Sequence, residues 1–402
     1  MSKTAAMDAR ARCLGAGAAA GLCATWLTVA RADPIRLRGD ALLQTEGGGS
    51  PTGLVVLQGE DAMQPWISAE GLVWAGATPS ATGDVLVLSV RLREPHGYAQ
   101  VQLGRFVLAT GAVHPVQIDG AHAIARAPWG STIETFGGVP VVPQFGSRTY
   151  DWMAGGRVAE VVANTATVGV SYVQRREGGE ISDEEVGSDL AVAPVRWFDL
   201  AGFAAYDVTN PGLAEARASA AAKVADWRVE LFASQISPGR LLPATSLFSV
   251  LGDFPSETAG ATVRWRAAPR LDLLVSGAGQ DLAGGLGGNG FVRASLKLDD
   301  RGDGNLGLEF RRVDVPGSQW TGVRGVAALP LGGGFRYSNE IEIVAPDYPD
   351  GRGVAWPWAL EALSWRSRDG WDVGAALEAS SSPLHRYEAD ALMRVSYALG
   401  KP

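Results

Sequence analysis

The chain ends in "YEADALMRVSYALGKP", Tyr387 to Pro402. Tyr387, Ala389, Ala391, Met393, Val395, Tyr397 and Leu399 fall on one side of an extended backbone. Glu388, Asp390, Arg394 and Ser396 fall on the other, with Leu392 and Ala398 as apolar intruders. Successive side chains of a β-strand point to opposite faces, so this is a strand with one apolar and one polar surface. A sandwich strand and a membrane-barrel strand both read this way. The rest of the chain decides between them.

The same alternation recurs upstream. Leu86, Leu88, Val90 and Leu92 interleave with Ser89, Arg91 and Arg93, and Trp227, Val229 and Leu231 with Arg228 and Glu230. Val263 and Trp265 alternate with Arg264 and Arg266, Val292 to Leu298 with Arg293 and Lys297, and Ile341 and Ile343 with Glu340 and Glu342. Leu306, Leu308 and Phe310 give way to Val313 and Val315, a break of phase that reads as a bulge or as the end of the apolar band. Tight-turn chemistry separates the strands at Glu94–Gly97, Asn164, Asp199, Asp226, Ala268–Pro269, Asp300–Gly304, Gly332–Gly334 and Asp369–Gly370. Between successive turns lie polar or Gly/Pro-rich stretches such as "GQDLAGGLGGNG", "PGSQW", "APDYPDGRG" and "SSSPLH". Short connections at one end and longer ones at the other describe an up-and-down outer-membrane barrel.

Tryptophan placement agrees. Trp197, Trp227, Trp265, Trp365 and Trp371 sit close to the tight turns, with Phe335 just after another. Amphipathic aromatics gathered at one end of the strands form an interfacial girdle. The sequence therefore predicts an all-β, up-and-down antiparallel transmembrane barrel of about 18 strands, within about 16 to 20, because bacterial single-chain barrels use even numbers. Its last strand pairs with its first, since an open sheet edge cannot be hydrated in lipid.

Composition bounds the setting. Arg10 and Arg12 precede the apolar run Leu14 to Val29, followed by Ala30-Arg31-Ala32, which is the pattern of a secretory signal peptide over residues 1–32. Residues 33–402 then form a single barrel domain. Both cysteines, Cys13 and Cys23, lie inside that leader, so the exported part has no thiol for disulfides or metal. Net charge is −8 for the whole chain, which argues against nucleic acid as a partner. With 46% apolar residues, 52 glycines and 13 tryptophans, the chain is too apolar and aromatic for disorder. The expected partners are outer-membrane lipid and lipopolysaccharide, the barrel-assembly machinery, a polar solute or polysaccharide, and periplasmic export proteins if the cargo is a polymer. The expected location is the outer membrane of a Gram-negative bacterium.

One region lacks clean periodicity. Gly111 to Ser147 follows the strand "YAQVQLGRFVLAT" and reads as a long irregular segment, of a kind that is usually functional. His114, Asp119, His122, Arg126 and Glu134 are its polar residues, and the resemblance that follows makes them candidates for a constriction. Leu103-Gly104-Arg105 running into such a segment resembles the outer-membrane porins, and together with Asp119-Gly120 it is similar to barrels that export exopolysaccharide. The resemblance covers about residues 98–150 and implies a lumen-narrowing loop with transport rather than chemistry.

No catalytic or cofactor site is expected. His96, His114, His122 and His385 are the only histidines, and no HExxH-type spacing occurs. "GLGGNG", Gly285 to Gly290, satisfies GxGxxG without any βαβ setting. Asp299 to Gly304 departs from a calcium loop at Arg301 and reads as a turn. The lumen is the functional surface that remains. Its expected lining comprises the cations Arg91, Arg93, Arg228, Arg264, Arg266, Arg293, Lys297, Arg311, Arg336 and Arg394, with Glu340 and Glu342 among the anions. Guanidinium groups pair well with carboxylates, so many of these brace the wall, and a surplus of cations favours anionic or neutral polar solutes. The reading is a porin-like passive channel. An exopolysaccharide exporter and a plugged structural or adhesive barrel are the alternatives.

Overall fold

The computed structural model of the protein describes residues 36–45, 52–64, 66–78, 80–112, 114–141, 151–237, 256–282, 284–347, 355–381 and 387–399. The leader proposed over residues 1–32 lies outside them. In the first third of the chain the strands are β1 (Arg36–Thr45), β2 (Thr52–Gln64), β3 (Ile67–Thr78), β4 (Ser80–Arg93), β5 (Ala99–Leu108), β6 (Val116–Arg126) and β7 (Thr132–Pro140). The middle third holds β8 (Trp152–Val162), β9 (Ala166–Glu177), β10 (Glu180–Val195), β11 (Phe198–Asp207), β12 (Gly212–Val224), β13 (Trp227–Ile236) and β14 (Ser256–Ala268). The last third adds β15 (Leu271–Leu282), β16 (Gly285–Lys297), β17 (Asn305–Val315), β18 (Ser318–Gly332), β19 (Phe335–Pro346), β20 (Trp356–Arg366), β21 (Trp371–Ser380) and β22 (Glu388–Leu399). Among the described residues each strand pairs antiparallel with the next, in one 22-stranded sheet.

The sheet closes on itself. β1 pairs with β22 from Leu37↔Leu399 to Thr45↔Ala391. Inside this seam, Arg394 donates to Asp40 at 2.8 Å, the Ser396 hydroxyl at 2.5 Å and Arg38 Nε at 2.9 Å. The count of 22 corrects the expected 18. Two of the missing strands are β6 and β7, which occupy most of the segment read as a loop, joined by the turn Ala127–Gly130, whose Pro128 and Gly130 are turn residues that the reading of this segment passed over.

Register assigns every strand an inside and an outside. Leu88, Val90, Val170, Leu231, Val292, Leu308, Ile341, Leu363, Leu377 and Met393 are exposed, although all lie within strands. A water-soluble sheet would cover so much apolar surface, and a membrane barrel instead leaves it to hydrocarbon. One polar group interrupts the band: Glu361, on the outer face of β20, accepts from Tyr337 and Asn339 of β19. The expected aromatic girdle is present at the short-turn end. Trp227 stacks on Trp265 at 4.9 Å, Trp371 meets Tyr397 at 4.6 Å and Phe335 meets Trp365 at 6.4 Å.

The far end differs from expectation in three places. "GQDLAGGLGGNG" is no long loop, because Gly279–Leu282 finish β15 and Gly285–Gly290 open β16. In "PGSQW", Pro316 and Gly317 make a two-residue turn and the rest begins β18. Gly178 and Gly179, both at positive φ, close β9 onto β10 equally tightly. The break of phase after Phe310 is the end of the apolar band and not a bulge. β17 keeps one register with both neighbours, and its outer face continues into Arg312, which reaches Asp347 at 2.5 Å.

Lipid outside and water inside make opposite faces respond oppositely to charge. Leu308→Arg, on the outer face, is expected to lower the unfolding free energy in liposomes by about 2–4 kcal/mol. Ser338→Arg, on the inner face, is expected to change it by less than about 1 kcal/mol, and urea titration of both variants makes the comparison.

Candidate functional site

The interior is built around a hairpin that leaves the wall. β4 and β5 pair only from Arg93↔Gln100 to Leu88↔Arg105, whereas β4 pairs with β3 up to Ser80 and β5 pairs with β6 up to Leu108↔Val116. Beyond Arg105 the β5–β6 hairpin therefore parts from β4. Gly104 sits at the parting, with φ +119°, where a Cβ would come within 2.2 Å of the Leu88 carbonyl oxygen. Directly across the hairpin is Gly120, whose Cβ would lie 2.1 Å from the Gly137 carbonyl oxygen. Only glycine lets backbones approach so closely.

Each face of the freed hairpin is satisfied. Phe106, Leu108, Val116 and Ile118 bury themselves with Phe136, Met153 and Val173, the largest buried apolar cluster among the described residues. On the other face Arg105 holds both oxygens of Asp119 at 2.7 and 2.9 Å and donates to the Val85 carbonyl at 2.9 Å. Gln117 donates to the Leu86 carbonyl at 2.6 Å. Side chains thus cap carbonyls of β4 that have lost their strand partner, removing the cost of leaving them bare. The Leu-Gly-Arg and Asp-Gly pairs singled out in the sequence are in this way one structural unit, Gly104 facing Gly120 and Arg105 facing Asp119.

The hairpin tip, residues 109–112, 114 and 115, reaches the inner faces of more distant strands. Thr110 and Ala112 are buried, and Gly111 leaves room for Arg157 of β8 and Asp189 of β10, which pair at 2.6 Å. His114 bridges two carboxylates: Nδ1 lies 2.8 Å from Glu185 of β10 and Nε2 lies 2.9 Å from Glu215 of β12. Burial alone would push the imidazole pKa down. The hydrogen bonds and charges of Glu185 and Glu215 outweigh it and raise the value from 6.5 to about 9. His114 is therefore an imidazolium at neutral pH, donating from both nitrogens.

This corrects the constriction-loop assignment. Of its five residues only His114 lies in a connection. Asp119, His122 and Arg126 are on β6 and Glu134 is on β7. His122 lies 3.6 Å from Glu134, while Arg126, at the short-turn end, donates to the Gly97 carbonyl at 3.2 Å. His114 and His122 do not converge, and no metal-binding group of three occurs among the described residues.

The remaining named residues all fall on the face opposite the exposed apolar side chains. Arg228 meets Glu230 at 3.4 Å, Arg264 meets Asp272 at 3.2 Å, Arg394 meets Asp40 at 2.8 Å and Arg91 lies 4.0 Å from Glu70. Arg293 and Arg311 share Glu309, Arg311 extends to Glu342 at 3.3 Å, and Glu340 pairs with Arg324. Arg93, Arg266, Lys297 and Arg336 have no carboxylate partner among the described residues, and all four lie near the short-turn end. Cations free of acid partners therefore gather at one mouth. Sequence reading missed Arg157, Glu185, Asp189, Glu215 and Arg324. Their strands are rich in Gly and Ala, which blunts alternation, although the exposed Val158, Val186 and Val323 one position along mark the phase.

No protein-family model matches the chain, and no curated protein matches it. Solved structures do. The translocation pore of the P pilus usher PapC aligns with a TM-score of 0.53 at 10% identity, covering 92% of this chain and 100% of that one. PapC in the E. coli P pilus tip assembly intermediate PapC-PapD-PapK-PapG gives a TM-score of 0.55 at 10% identity, covering 92% of this chain and 62% of that one. Pseudomonas aeruginosa OccK3 aligns with a TM-score of 0.46 at 10% identity, covering 91% and 95%. At such identities the likeness to PapC is one of fold, that of a large outer-membrane barrel.

The His114 bridge gives the tip a pH dependence. Its folded pKa stands above the ordinary value of 6.5, so the stabilisation is complete below pH 6.5 and is lost as pH rises through about 9. A nitroxide on Thr110→Cys is expected to be immobile at pH 6 and mobile at pH 10. With His114→Gln added, its spectrum is expected to stay the same across that range.

Proposed function

We propose that this protein is an outer-membrane channel through which polar and anionic solutes pass passively, narrowed by the docked tip of the β5–β6 hairpin. The observation that carries the reading is the closed barrel whose inner face is lined by charge while one hairpin crosses to β10 and β12. Water and ions have a polar path on that face, and the outer apolar band supports residence in lipid. The narrowing is smaller than a 37-residue loop would make it. The described tip residues 109–112, 114 and 115, anchored by His114, act as the constriction, in place of the whole of Gly111–Ser147.

Selectivity follows from the distribution of charge. Paired arginines such as Arg264 and Arg311 stiffen the wall and contribute little net field, because a carboxylate neutralises each locally. Arg93, Arg266, Lys297 and Arg336 lack such partners and give the short-turn mouth a positive potential that draws in anions. In this reading transport needs no covalent step, so the protein works without a catalytic residue or cofactor.

Planar-bilayer recording on the purified protein tests both parts. Single-channel conductance is expected, and deletion of 110–115 is expected to raise it severalfold. Reversal potentials in a KCl gradient are expected to indicate anion preference, shifting towards cations in the triple variant Arg266→Gln, Lys297→Gln, Arg336→Gln. Absence of conductance in both the intact protein and the tip deletion defeats the channel.

A further inference from the structure

The interior carries a second feature that ion pairing does not explain. Near the loop end, Trp320 on β18 and Trp356 on β20 flank Pro346 of β19, the register placing Trp320 beside Pro346 and Trp356 beside Val344. Both indoles lie on the inner face. Trp320 is in phase with Arg324, and Trp356 is in phase with Trp358, whose Nε1 donates to the inward Glu378 at 2.6 Å. Together with Gly317, Ser318 and Gln319 they line a cleft of about 370 Å³. That volume lies in the range of about 300–1,000 Å³ typical of small-molecule sites.

The chemistry of the cleft is distinctive. No lining residue carries a charge, unlike the ladder of Arg311, Glu309 and Glu342 just below it. Trp356 Nε1 is buried and makes no hydrogen bond among the described residues. A buried indole N–H without an acceptor is costly, so such donors are normally satisfied. The Trp320 ring packs over Gly322, and the surface it leaves borders the cleft together with Trp356. A ligand that fits must present flat C–H surface to two indoles and an uncharged acceptor to the N–H. A pyranose ring does both, with axial C–H groups on its face and hydroxyl oxygens on its rim.

We infer that the cleft between Trp320 and Trp356 binds a sugar ring of a neutral glycan at the loop-end entrance of the lumen. The inference deepens the channel reading by naming one class of polar solute, and the ion-pair ladder beneath supplies hydroxyl-binding groups along the same wall. Binding itself does not require conduction, which keeps the two claims separable.

Equilibrium binding to the detergent-solubilised barrel tests it, by calorimetry with maltohexaose, cellohexaose and tetra-N-acetylchitotetraose, and with a hexagalacturonate as the charged comparison. At least one neutral oligosaccharide is expected to bind more tightly than the galacturonate. Trp320→Ala and Trp356→Ala are each expected to weaken it at least tenfold. Trp356→Phe, which keeps a ring and loses the N–H, is expected to weaken it severalfold and guards against misfolding of the alanine variants. Trp129→Phe, at the opposite end of the barrel, is expected to leave it unchanged. Binding to none of the neutral sugars, or binding untouched by Trp356→Phe and both alanine variants, overturns the inference. Sugar binding without conductance keeps the cleft and removes the channel, and conductance without sugar binding does the reverse.

Discussion

Backbone amides and carbonyls cannot be left bare in hydrocarbon, and most of this structure follows from that constraint. A sheet meets it only by closing, which is why the terminal strands β1 and β22 pair over nine positions and why Asp40, Arg394 and Ser396 knit the seam. Closure then divides the side chains. Whatever alternates outward must suit lipid, and whatever alternates inward must suit water. The arginine-rich, lysine-poor inner face suits a wall of this kind, because a planar guanidinium can hold neighbouring carboxylates such as Glu309 and Glu342 at once.

The same constraint makes the β5–β6 hairpin instructive. A hairpin that leaves the wall exposes strand edge on the strand it abandons. Here Arg105 and Gln117 cover the Val85 and Leu86 carbonyls, while Phe106, Val116 and Ile118 exchange a wall position for a buried apolar cluster inside. The bend depends on two glycines facing one another, Gly104 and Gly120, where a methyl group would strike a neighbouring carbonyl. The docked tip is then held by one imidazolium between two carboxylates, an arrangement strong at neutral pH and dependent on a single proton. The docking of the tip is thereby tied to the protonation of His114.

How much of this was legible depended on how strictly residues alternate. Val292 to Lys297 swap apolar and polar at every position, Ala389 to Leu399 do so with only Leu392 and Ala398 out of phase, and both segments are strands. β6 and β7 were not recognised, because "VQIDGAHAIAR" and "TIETFGGVP" carry apolar residues on both faces. The structure supplies the reason. The upper part of the β5–β6 hairpin lies inside the barrel and β7 packs against it through Phe136, so neither face of these segments is selected for lipid or for water alone. The site residues divide in the same way. Cations on strictly alternating strands could be assigned to one face from pattern alone, whereas Arg157, Glu185 and Glu215 were missed because their significance comes from a tip that arrives from more than 40 residues away in sequence.

Local pattern therefore determined the all-β class, the two-faced wall, the aromatic girdle and the pairing of last strand with first, because each follows from which solvent touches every second residue. Strand number, the inward turn of one hairpin and the shared cleft of Trp320 and Trp356 on either side of Pro346 were decided by the tertiary structure. These depend on how many strands close the sheet, on where a hairpin docks and on the register between neighbouring strands, and a period of two residues carries no record of that.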